Sequence, residues 1–199
     1  MQISTDERDA FGVALNEATL HGVELDVQQR VAAVTLEVLT LPESGPAPPD
    51  ARIQLILRPV GRVAASLRDG SWNDPKARVV PFRVEDLTAV VDSVAGLNIY
   101  GWSFIDVHQE EIAKWGDRLS LDWQAGPDGL SHSLCLFQES RQHFDLLVWF
   151  DELRVFDPAY QEISISEFLA SGRRWWEAFR SHDPRTRGRG LASLRRSDA

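Results

Sequence analysis

Apolar and polar positions alternate with a period of two through much of the first half of the chain. Val34, Leu36 and Val38 share one face of the stretch 31–41, and Thr35 and Glu37 take the other. Leu20–Asp26 reads as a partner strand across the polar turn Val27-Gln28-Gln29-Arg30, Ile53, Leu55 and Leu57 predict a third strand, and Arg62–Leu67 a separate fourth. Two loops interrupt the pattern: the Pro-rich PESGPAPPD at 42–50 and RDGSWNDPKA at 68–77. The period then changes. Leu87, Val90, Val91 and Val94 recur at helical spacing, which predicts a helix over 84–95. Glu85 and Asp86 stand in its first turn, where the helix dipole favours negative charge, and Gly96 suits the position just past its end.

Strand-like alternation returns at 98–107 and is followed by a short helical pattern at 109–115. Residues 118–123 and 131–138 flank QAGPDG, which carries the chemistry of a hairpin loop. Asp145–Asp157 reads as a strand whose inward phase moves from Leu146, Val148 and Phe150 to Leu153 and Val155, predicting a bulge or turn at Asp151-Glu152. The first 18 residues fit two patterns. Phe11, Val13 and Leu15 alternate like a strand, yet Thr5-Asp6-Glu7 would open a short helix.

The last element has the clearest start. Ser164 and Glu167 have the spacing of a capping box, with Ile163 and Phe168 placed as a hydrophobic staple. From there Phe168, Leu169, Gly172, Trp175, Trp176 and Phe179 fall on one arc of a helix, and Arg173, Arg174, Glu177 and Arg180 lie outside it. Both tryptophans therefore read as core residues rather than as a stacking platform, and Gly172 as a point of close approach to the sheet. Sequential strands with few helices predict an α+β fold, mostly antiparallel, with two main helices packed on one face. LHGVELDV (20–27) and IYGWSFIDV (99–107) share their terminal Gly and Asp-Val features. This raises a duplication of β-β-β-β-α halves at 19–96 and 98–180. The expected organisation is one domain, 1–180, followed by a disordered basic tail, 181–199.

Composition refines this picture. Nineteen of 21 basic residues are Arg, a bias that suggests a GC-rich bacterial genome. The tail carries five Arg against two Asp, net +3, which leaves −12 on the remaining 180 residues. An acidic body disfavours nucleic acid and favours basic partners. The longest strictly apolar run, Leu146–Phe150, is far short of a membrane span, and the start lacks a signal-peptide plan, so the expected compartment is the cytoplasm with no membrane association. Cys135 cannot form an internal disulfide and reads as a small buried residue.

Phosphate-binding loops and a nucleophile elbow are missing from the sequence, and no cofactor is implied. The best metal-like spacing is Asp106-x-His108-x-Glu110, which would share one face if the strand ran through 110. Its bland alternative is a solvated His108 before the acidic first turn of a helix. His143 and Asp145 form a second candidate pair for acid–base work, and His132 between Ser131 and Ser133 needs distant residues to complete a site. Trp72, in the loop DGSWNDP, is a candidate contact residue, with the rival role of a loop anchor on the sheet. In broad character, small, acidic, α+β and rich in Trp, the chain resembles bacterial immunity-type proteins that neutralise basic toxins. The expected function is thus a non-enzymatic protein engaging a basic protein partner through its acidic surface. The alternatives are a metal-dependent, hydrolase-like enzyme using Asp106, His108 and Glu110, and a small-molecule carrier.

Overall fold

The computed structural model describes residues 2–70, 74, 76–101, 103–107, 116–139 and 142–187. It is an α+β fold built on one antiparallel sheet of eight strands: β1 (Thr19–Asp26), β2 (Val31–Glu37), β3 (Arg52–Asp69), β4 (Arg78–Val79), β5 (Leu121–Gln124), β6 (His132–Glu139), β7 (His143–Phe156) and β8 (Glu162–Ile163). The helices among the described residues are α1 (Thr5–Ala14), α2 (Leu87–Val94) and α3 (Ile165–Arg180). None of them is long and apolar enough to cross a membrane.

The sheet is organised around two long strands. β3 and β7 run antiparallel from Gln54↔Phe156 to Arg68↔His143. β2 and β5 lie in succession along the other side of β3, and β6 along the other side of β7. The two expected halves are therefore interleaved, each supplying one long central strand. What reads in sequence as two strands, at 53–57 and 62–67, is the single strand β3. It stays continuous because a bulge at Gly61 absorbs one extra residue between the pairs Val60↔Phe150 and Arg62↔Trp149. No bulge occurs at the expected Asp151-Glu152: β7 runs through that point in regular register, and the bulge at Gly61 lies opposite Trp149 and Phe150.

Gly61 also explains why QAGPDG is not a hairpin loop. β5 pairs with β3 and β6 pairs with β7, so the connection crosses both central strands. It crosses directly over the bulge. The Gly61 N–H donates to the Gly129 carbonyl at 3.0 Å, and the Gly61 carbonyl accepts from the Ala125 N–H at 2.8 Å. A Cβ on Gly61 would lie 2.4 Å from the Asp128 carbonyl oxygen and 2.5 Å from that of Gly129. Because backbone has to move to make room, Gly61→Ala should destabilise the protein by about 1–3 kcal/mol, the usual range for overpacking. Chemical denaturation with an unchanged m-value would check this.

The sheet's two outer strands are joined by the segment 97–107. At one end the Leu20 N–H donates to the Leu97 carbonyl and the Ile99 N–H to the Ala18 carbonyl; at the other the Cys135 N–H donates to the Phe104 carbonyl. This segment forms isolated bridges, Thr19↔Asn98 and Ile105↔Leu134, instead of the regular strand its alternation predicts. Gly101 (φ +152°) and Asp106 (φ +54°) leave the extended conformation and break the run. The enclosed core contains Val34, Leu36, Leu55, Leu57, Val148, Phe150 and Val155, all buried, together with Ile99, Phe104 and Ile105 from the joining segment.

α1 resolves the ambiguity of the first residues in favour of a helix. Ser4 and Glu7 form a full capping box, and Ala10, Phe11 and Ala14 are buried. α3 starts as expected, with Ser164 Oγ accepting the Glu167 N–H at 3.2 Å. Its small face, however, meets α1 rather than the sheet: a Cβ on Gly172 would sit 2.7 Å from Ala14 Cα. Phe11 and Phe168, with ring centroids 6.0 Å apart, carry the two helices onto the main core, and α2 packs along β1. Of the expected tail, residues 184–186 form a 3-10 turn with Thr186 buried.

Candidate functional site

The histidines and aspartates singled out by sequence are divided between two places at opposite ends of β6 and β7. His132 faces Phe150 across the ladder, and His143 faces Glu139. Seven residues of extended chain separate them along β7, roughly 23 Å at strand rise. They do not converge on one cleft.

At the first place Asp106 sits at the end of the joining segment. Its carboxylate accepts from the Ser133 N–H at 2.9 Å, lies 3.0 Å from His132 Nδ1 and pairs with Arg8 Nε of α1 at 3.0 Å. Three elements are pinned by this one side chain: α1, the joining segment and the start of β6. His108 and Glu110, which with Asp106 make up the metal-like triplet, lie outside the described residues, as does Trp72. Among the described residues no group of three or more His, Cys, Asp or Glu side chains could hold a metal ion.

An aspartate holding a histidine Nδ1 is also the arrangement that orients a general base. Ser131, adjacent to His132, does not complete it. Its hydroxyl donates to Asp151 Oδ1 at 2.6 Å, and its N–H bonds the same oxygen at 3.1 Å. Asp151 also accepts from the Gly129 N–H at 3.0 Å, so this carboxylate clamps the crossing loop to β7. Those bonds, that from the Ser131 hydroxyl foremost, hold the Asp151 carboxyl below its ordinary range. A carboxyl with a lowered folded pKa stabilises above its unfolded value, and the contribution is lost as pH falls through the folded one. Asp151→Asn should therefore flatten the acid limb of a plot of Tm against pH while changing little near neutrality beyond a constant offset. An acid limb identical to wild type would show that the clamp is not made.

At the second place His143 and Asp145 project from β7 on the side of the sheet away from the main core. His143 Nε2 lies 2.8 Å from Asp145 Oδ2, and Arg68 of β3 reaches the same oxygen at 3.2 Å. The Phe137 ring lies against the imidazole at 4.7 Å. All three polar side chains are buried. The cluster continues the second, smaller core of this side, Ala64, Leu147 and Trp149, with Cys135 packed against it. Sequence reasoning identified the pair but not Arg68. Arg68 stands at the end of β3, where the sequence reads as the start of a loop, and nothing local marks it as buried.

Three surface clefts, of about 190, 200 and 290 Å³, accompany these features. The largest is lined by Arg8, Asp106, Leu130, Ser131, His132 and Trp149. All three are smaller than the ~300–1,000 Å³ usual for a site that encloses a small molecule. Compared with models of known protein families, with characterised proteins and with solved structures, the chain matches none of them.

The exposed carboxylates have a different distribution. Residues 1–26 carry six acidic side chains against one Arg, and residues 84–95 carry three against none. Asp6 and Asp9 on α1, Glu24 on β1, and Asp86 and Asp92 beside or on α2 are exposed, and none forms an ion pair with a described residue. Elsewhere Arg30 pairs with Asp128, Arg52 with Asp50, Arg58 with Glu152, Arg62 with Asp122 and Arg154 with Glu162, while Arg173, Arg180 and Arg187 are exposed without an ion pair to a described residue.

Proposed function

We propose that this is a non-enzymatic binding protein whose acidic side, carried by α1, β1 and α2, engages a basic protein partner. Neutralisation of a basic toxin by an immunity-type protein is one form such a role takes. The observation that carries the reading is the set Asp6, Asp9, Glu24, Asp86 and Asp92, exposed on α1, β1 and α2 without an ion pair to a described residue, with α2 packed along β1. Clustered unpaired charge of one sign steers association and makes it salt-dependent.

The test uses the full chain as bait in extracts of its native host at low and high salt. One basic protein should be retained at low salt, with an association rate that falls steeply as salt rises. The charge-reversed variant D6K/D9K/D92K should lose it. Absence of a specific partner at either salt would overturn the proposal. The alternative, a metal-dependent hydrolase-like enzyme built on Asp106, His108 and Glu110, requires the Asp106 carboxylate to serve a metal in addition to Arg8 and His132. Stoichiometric metal in purified protein, or a rise in Tm on adding Zn²⁺ or Mn²⁺, would establish it.

A further inference from the structure

β1, β2, the first half of β3 and the end of β7 form a four-stranded region with two unlike faces. The inward side chains, Val34, Leu36, Leu55, Leu57 and Val155, are completely buried. Outward, Ala33, Thr35, Gln54, Ile56, Arg154 and Phe156 are half-buried, and α2 packs along β1 with the Asp92 carboxylate beside Gly22. The register sets these outward residues in cross-strand rows. One row is Gly22, Thr35, Gln54 and Phe156; the next is Glu24, Ala33, Ile56 and Arg154. The face therefore has a centre of Ala33, Ile56, Thr35 and Gln54, with Glu24 and Arg154 at its margins.

The rows are complementary to themselves. A two-fold axis parallel to the strands, passing between β2 and β3, lays β2 of one copy over β3 of the other and β1 over β7. Ala33 then meets Ile56, Thr35 meets Gln54 and Glu24 meets Arg154, each contact occurring twice, as an isologous interface requires. The small Gly22 falls opposite the large Phe156. The charges are available for this. Glu24 has no ion pair with a described residue, and Arg154 is held only loosely by Glu162, at 3.7 Å with 42% of its side chain exposed. From this self-complementary register we infer that a second copy of the chain docks on the outer face of β1, β2, β3 and β7, sheet against sheet.

Sedimentation equilibrium of the full chain over a wide concentration range tests the dimer directly. Wild type should be a reversible dimer. Ile56→Asp, an outward substitution that leaves the core intact, should be monomeric with unchanged circular dichroism. Glu24→Arg should weaken association by about tenfold or more through like-charge contact with Arg154, and the swap Glu24→Arg with Arg154→Glu should restore it. A wild-type chain that stays monomeric, a dimer indifferent to Ile56→Asp and Glu24→Arg, or a swap that restores nothing would overturn the inference. Glu24 also belongs to the acidic surface proposed above, but sedimentation uses this chain alone, so these outcomes do not depend on the basic partner.

Discussion

Replacing Asp145 by alanine is expected to lower the unfolding free energy by about 3–5 kcal/mol, the cost of removing one partner of a buried ion pair. The side chains of Arg68 and His143 are only 6% and 4% exposed, and both address the same oxygen of Asp145. Truncation removes the acceptor from both at once. A guanidinium cannot escape such a penalty by deprotonating. Asp145→Asn separates charge from shape: it keeps the volume and an acceptor, and should still lose a large part of the stability. The double variant Arg68→Met with Asp145→Leu should recover much of the loss, since a buried ion pair can often be replaced by well-packed apolar side chains. Urea denaturation of the four proteins decides the matter. A loss below about 1 kcal/mol for Asp145→Ala would mean that water reaches the cluster.

Such a cluster marks the limit of what sequence shows here. The period-two pattern of β2 and the start of β3 is legible because one face is in the core and the other is not. The same rule fails for the first half of β7, where residues 143–150 are buried on both sides. There the strand reads as a nearly continuous apolar run, and the polar His143 and Asp145 look misplaced unless Arg68 is known to be opposite. Arg68 is 77 residues away in the chain. Likewise Asp106 finds His132 and Arg8 only through the joining segment, and neither partner carries a local signal. QAGPDG misleads for a related reason. Its Gly and Asp residues do specify a turn, but Gly129 turns against Gly61 and Asp128 bonds Arg30, contacts that a local reading of turn chemistry does not contain. What is local, such as the cap at Ser164 and the buried Phe168, Leu169, Gly172 and Trp175 of α3, is legible.

The paired tryptophans of α3 lead to the second large effect. Trp175→Ala should cost about 3–5 kcal/mol, the range for deleting a buried Trp or Phe, and lower Tm by roughly 10 °C in a chain of this size. Trp175 is 1% exposed. It is not in the main core, as its helical stripe suggests, but in a second cluster with Leu39, Leu41 and Ala178 beneath the Pro-rich loop. Phe179 stacks on it at 5.2 Å with nearly parallel rings, and Trp176 meets it edge-on at 4.9 Å. The neighbouring indole differs in kind. Trp176 is half-buried and donates Nε1–H to the Val13 carbonyl at 3.0 Å, tying α3 to the end of α1. Trp175 Nε1, by contrast, is buried with no hydrogen-bond acceptor among the described residues. The two phenylalanine variants should therefore part company. Trp176→Phe leaves the Val13 carbonyl without its donor, at a cost of about 0.5–1.5 kcal/mol. Trp175→Phe removes no hydrogen bond, so its cost is the cavity left by the missing part of the ring and grows with that volume. It should fall well short of the alanine variant because the stack on Phe179 survives. If Trp175→Ala were folded and as stable as wild type, Trp175 would not be the anchor of this cluster. The cluster would then be free to act as a surface for another chain.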